Sequence, residues 1–119
     1  MQLSKQEIDT ETKIQINQLL YQLLADLRNS QEANKLLSAI LTATEITTIA
    51  KRITIAKLLT QGQSYEQIRD RLKVSSATIA TVQSKLSTSN GYSLVLQKIQ
   101  ADQWATKWAK KISSMLRIQ

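Results

Sequence analysis

The sequence has no cysteine, no histidine and no proline, only two glycines, and an aromatic content of three tyrosines and two tryptophans. Without thiols or imidazoles it cannot form disulfides, thiolate metal sites, cysteine nucleophiles or imidazole acid–base relays. No catalysis, metal or cofactor is therefore expected. Long hydrophobic runs are missing too. The longest, such as Leu94-Val95-Leu96, reach three residues, against the roughly 20 needed to cross a bilayer. The opening residues Met1-Gln2-Leu3-Ser4-Lys5-Gln6-Glu7 hold no signal-peptide core, so a cytoplasmic location is expected.

The chain of 119 residues is the size of one ordinary domain. Hydrophobic residues at 42% and charged residues at 21% match a chain that folds. The net charge of +7 is unevenly placed. Residues 1–45 hold four Lys or Arg against six Asp or Glu, whereas residues 46–119 hold twelve against three. A polyanionic partner is implied, and only the later part carries its electrostatic footprint.

With so little glycine and no proline, few strand boundaries or tight turns remain, and apolar residues recur at helical spacing almost throughout. An all-α chain of about six helices is predicted. Ile8, Ile16, Leu19, Leu20, Leu23, Leu24 and Leu27 mark a first helix, which Asn29-Ser30 interrupts. Ala33, Leu36, Leu37, Ile40 and Leu41 mark a shorter second one. Thr42 to Glu45 has capping-box spacing and opens a third helix, with Ile46, Ile49, Ala50, Ile53, Ala56 and Leu59 inward. Gly62, which takes a left-handed conformation cheaply, closes it. Ser64 to Gln67 repeats the capping-box spacing before a two-turn helix with Ile68 and Leu72 inward, ending near Lys73. Ser75 caps a fifth helix with Ile79, Val82 and Leu86 inward. Asn90-Gly91 reads as a turn between helices, and a last helix starts near Ser93.

Two short amphipathic helices joined by about three residues make a helix-turn-helix, whose second helix enters the DNA major groove. The outer face of the fifth helix is small and polar. Ser76, Ala77, Ala80 and Thr81 suit base readout, with hydroxyls for hydrogen bonds and alanine methyls for thymine. Arg69, Arg71, Lys73 and Lys85 flank it as phosphate contacts that position without specifying. Lys73 stands where many such turns have glycine, so a differently built turn is expected. Taken as a pattern alone, the same helices also suit an ordinary bundle.

Leu41-Thr42-Ala43-Thr44-Glu45, Ala50-Lys51-Arg52-Ile53, Ala56-Lys57-Leu58-Leu59 with Gly62, and Ser76-Ala77-Thr78-Ile79 together resemble the Trp repressor superfamily. Tyr65 and Gly91-Tyr92-Ser93-Leu94-Val95-Leu96 are more similar to its YerC/YecD-type branch. The resemblance covers residues 41–96. It implies a single domain over 1–119 in a Trp-repressor-like, interlocked homodimer. Its parts are dimerisation helices in 1–40, a central helix in 42–62, the helix-turn-helix in 64–87 and a carboxy-terminal helix in 92–118. It further implies a sequence-specific DNA-binding transcriptional regulator, a repressor. Thr42 and Arg52 match two positions of the tryptophan corepressor site and form an effector-site remnant. Thr81 stands where the family has a stacking arginine, and Val82 stands where it has a small glycine. An unlined, filled slot with no L-tryptophan binding is expected.

The last helix sets Lys98, Lys107, Lys110, Lys111 and Arg117 against Val95, Leu96, Ile99, Trp104, Trp108, Ile112, Met115 and Leu116. That composition also fits a helix lying on an anionic membrane. Closure of a core or dimer interface by the two tryptophans is the commoner use, and cations suit a helix carboxyl end without any partner. A membrane partner is therefore not expected. The alternative function is a helical module whose basic carboxy-terminal half meets an acidic protein or a membrane surface. Tyr21, Tyr65 and Tyr92 read as packing residues. Glu66 and Asp70 read as a solvated face.

Overall fold

The computed structural model describes residues 6–117. Residues 1–5, at the start of the expected dimerisation segment, and residue 118, the expected end of the last helix, lie outside the described residues. Six helices follow in order: α1 (Thr10–Ala25), α2 (Ser30–Ile40), α3 (Ala43–Thr60), α4 (Tyr65–Leu72), α5 (Ser76–Leu86) and α6 (Asn90–Arg117), with no strand among the described residues. The fold is all-α among the described residues. The chain divides into two compact units, Met1–Ile46 and Thr47–Gln119.

In the first unit the helix starts follow from short side chains that satisfy free backbone donors. The Asp9 carboxylate accepts from the Thr12 amide at 2.7 Å and the Thr12 hydroxyl at 3.0 Å, which holds its carboxyl below the usual carboxylate range. Asn29 accepts from the Glu32 amide at 2.9 Å and so opens α2, rather than merely interrupting a stripe. Thr42 and Glu45 make the reciprocal capping box of α3. The Thr42 amide donates to Glu45 Oε1 at 2.8 Å and the Glu45 amide donates to Thr42 Oγ1 at 3.1 Å. The Thr42 amide, and then its hydroxyl, hold the Glu45 carboxyl below its ordinary range. No residue of α1 or α2 is buried, and Ile14, Leu19, Leu20, Leu23 and Leu24 are exposed.

The second unit holds the core: Ile55, Ala56 and Leu58 of α3, Ile68 of α4, and Ile79 and Val82 of α5. Leu59, Tyr65, Leu72, Val74, Leu86, Tyr92 and Leu96 pack against it. The inward face of α3 differs from the sequence reading, because Ile49 and Ile53 remain 44% and 39% exposed while Ile55 and Leu58 are buried. Isoleucine and leucine occupy more than one face of α3, so periodicity alone cannot choose between them. Contact with α4 and α5 does.

α3 ends as a Schellman motif: Gly62, at φ 81°, donates to the Leu59 carbonyl at 3.1 Å, and Gln63 donates to that of Leu58 at 3.1 Å. α6 begins at Asn90, so Asn90-Gly91 forms its first turn and the connection is Ser87 to Ser89. Ser89 supplies the reason. Its carbonyl accepts from the Ser93 amide at 3.2 Å and its hydroxyl from the Tyr92 amide at 3.4 Å. Along α6, Val95, Leu96 and Ile99 are half-buried, whereas every residue from 101 to 117 is exposed. Trp104 and Trp108 therefore take no part in the core formed by the described residues.

Candidate nucleic-acid interface

A capping box anchors the start of α4. The Ser64 amide donates to Gln67 Oε1 at 2.9 Å, and the Gln67 amide donates to Ser64 Oγ at 3.2 Å. After two turns the chain reverses at Lys73, which takes the left-handed conformation at φ 55°, ψ 54° while its amide donates to the Arg69 carbonyl at 2.8 Å. The turn is thus built in the common way, contrary to the expectation that a non-glycine residue would force another form. Lys73 carries a strain on the order of 1 kcal/mol. Ser75 then caps α5, accepting from the Thr78 amide at 3.1 Å. Burial of Ile68 against Ile79 and Val82 holds α4 and α5 together.

Two polar ties across the pair were not legible in the sequence. Arg69 Nη1 donates to Ser76 Oγ at 3.0 Å. This bond joins a residue expected at phosphate to one expected at a base edge, and it fixes the amino end of α5. The Tyr65 hydroxyl donates to Gln83 Oε1, tying the start of α4 to the middle of α5. These partners are seven and eighteen residues apart, beyond the reach of capping or helical-period signals.

The outer face of α5 matches the predicted character. Ala77, Ala80, Thr81 and Ser84 are exposed and Ser76 is half-buried. The Thr81 hydroxyl donates to the Ala77 carbonyl at 3.0 Å, which leaves it an acceptor toward any ligand. Arg69, Arg71, Lys73 and Lys85 are all exposed on α4, the turn and α5. A surface of small side chains rimmed by cations can approach a groove floor while the rim meets phosphate.

Beside this face lies a recess of about 270 Å³ lined by Arg52, Thr78, Thr81, Val82, Lys85 and Tyr92. Val82, expected to fill the corepressor slot, lines this recess and is only 2% exposed, as part of the core. Arg52 also borders an apolar recess with Ile49, Ile53, Tyr92 and Val95. Tyr92 and Tyr65 pack against the core as expected, and Tyr92 also lines both recesses, whereas Tyr21, expected to pack, is 62% exposed. Thr42, the other effector-site candidate, spends its hydroxyl on the α3 capping box. Glu66 and Asp70 are exposed, and no group of His, Cys, Asp or Glu among the described residues is placed to hold a metal ion.

Comparison with known proteins agrees with this geometry. The family model described as Trp repressor protein matches residues 15–100. The uncharacterized protein YerC of Bacillus subtilis (strain 168) is 28% identical over 94 residues, covering 78% of this chain and 89% of YerC. Among solved structures, a TrpR-like protein from Eubacterium eligens ATCC 27750 superposes with a TM-score of 0.69 at 28% identity. That match covers 77% of this chain and 96% of the other.

Proposed function

Because this chain belongs to the Trp repressor family, a family of DNA-binding regulators, we propose that it is a sequence-specific double-stranded DNA-binding transcriptional repressor reading the major groove through residues 75–86. The observation that carries this reading is the exposed small, hydroxyl-bearing face of α5, framed by Arg69, Arg71, Lys73 and Lys85. Ser76, Ala77, Ala80 and Thr81 read base edges, and the four cations hold phosphates. Repression needs only occupancy of a promoter. The protein acts in the cytoplasm without catalysis, and no helix among the described residues is long and apolar enough to cross a membrane.

The working unit in this proposal is a homodimer. An α1 that leaves Ile14, Leu19, Leu20, Leu23 and Leu24 in water has more apolar surface than a soluble monomer keeps uncovered. A second copy covers it and presents two reading helices about 34 Å apart, one turn of DNA, or a multiple of that. Selection from a random duplex library is expected to return a motif with two-fold symmetry at that spacing. Recovery of no enriched motif overturns the proposal.

L-Tryptophan is not the effector in this reading. The recess beside α5 presents Thr81 where a planar cation would be needed to stack on an indole. Calorimetric titration with L-tryptophan is expected to give no binding heat, and micromolar affinity would refute this part.

A further inference from the structure

We propose that the carboxy-terminal part of α6, residues 101–117, is an amphipathic helix that docks the protein on anionic lipid bilayers. This goes beyond the DNA-binding reading and does not rest on it. The stretch begins just past the segment matched by the family model, which ends at residue 100. All of its residues are exposed among the described residues, with Trp104 at 65% and Trp108 at 44%. It extends about 26 Å at the helical rise, the scale of a surface helix.

Its side chains are segregated by character. At about 100° per residue, Trp104, Trp108, Ile112, Met115 and Leu116, with the alanines between them, fall within an arc of roughly 140°. Lys107, Lys110, Lys111 and Arg117 occupy the opposing sector, against a single carboxylate, Asp102. The two indoles stand side by side with centroids 5.6 Å apart. The Lys111 ammonium lies 5.2 Å from the Trp108 ring centre, at the border of the apolar arc. An indole pair with an apolar body and N–H tip, edged by a long cationic side chain, fits the boundary between acyl chains and headgroups.

Charge complementarity points to one occupant of this face. Pairing with the same helix of a second copy would bring together two segments that each carry four cations and one carboxylate. DNA would take the lysines and leave the indoles in water. An anionic bilayer satisfies both faces at once. The core, one of the two places composition suggested for the tryptophans, does not receive them.

Trp104 and Trp108 are the only tryptophans in the sequence, so intrinsic fluorescence reports on this face directly. The full chain is mixed with vesicles of phosphatidylcholine alone, or of phosphatidylcholine with phosphatidylglycerol, and tested by flotation and emission. Co-flotation and a blue shift are expected only with the phosphatidylglycerol vesicles, with both lost at high salt. The Trp104→Ser, Trp108→Ser double variant is expected to lose flotation, and Lys107→Gln, Lys110→Gln, Lys111→Gln to lose flotation and the blue shift. Failure of the wild-type chain to float with anionic vesicles overturns the proposal. So does equal binding to both vesicle types. Emission already blue-shifted without lipid and dependent on protein concentration also overturns it, in favour of a second copy as occupant.

Discussion

Replacing Arg71 and Lys85 together with alanine is expected to weaken binding to every duplex alike and to flatten its salt dependence. Each cation seated on a phosphate adds about 0.9 to the slope of log K against log salt. Removing two such cations from each copy of the proposed homodimer should therefore flatten the slope by roughly 4. Both side chains are exposed and neither appears in the buried core, so the fold should survive. Ala80→Leu should behave oppositely, keeping the slope and altering which bases are preferred, by about 1–3 kcal/mol per base pair read. Lys73→Gly isolates the strained turn: the folded protein gains on the order of 1 kcal/mol from relief at φ 55° while each copy gives up one phosphate-binding cation. Salt-titrated anisotropy on operator and scrambled duplexes reads the binding effect of all three, and denaturant unfolding reads the stability gain of Lys73→Gly. If the alanine pair and Ala80→Leu cause equal losses on every sequence, the division into positioning and reading residues is wrong.

Ile79→Ala is expected to destabilise the protein by about 2–5 kcal/mol, as measured by denaturant unfolding. Ile79 is completely buried, and the core it belongs to has six buried residues among the described ones, so the vacated space has few neighbours able to fill it. The same residue fixes α5 against Ile68 of α4. DNA affinity should fall with stability even though Ile79 touches no nucleic acid in the proposed complex. Ile79→Val, which removes one methylene, should cost about 0.5–1.5 kcal/mol and keep binding near that of the parent. A small loss from Ile79→Ala would mean that α5 is held chiefly by something other than this core.

Much of the interface was legible because its determinants are local. Ser64 with Gln67, Ser75 with Thr78 and Thr42 with Glu45 each lie three residues apart and fix helix starts through hydrogen bonds within that short span. The outer face of α5 was legible for a related reason: Ile79 and Val82 mark the buried side, which leaves Ala77, Ala80 and Thr81 outside. Arg69 shows where this reasoning stops. Its position predicts a phosphate contact, yet its guanidinium is engaged by Ser76, so Arg69→Ala would disturb the amino end of α5 as well as any phosphate contact.

The sequence by itself determined the helical class, the helix-turn-helix and the lack of thiol or imidazole chemistry, because caps and helical periods act within four residues and composition needs no geometry. Only the tertiary structure decided which face of α3 is buried, that Lys73 bears a left-handed backbone, that Tyr65 reaches Gln83, and that Trp104 and Trp108 find no place in the core. Each of these outcomes depends on what a distant segment offers. Burial of Ile55 and Leu58 is set by α4 and α5 closing over them, and the strain at Lys73 persists because the packing of Ile68, Ile79 and Val82 outweighs it.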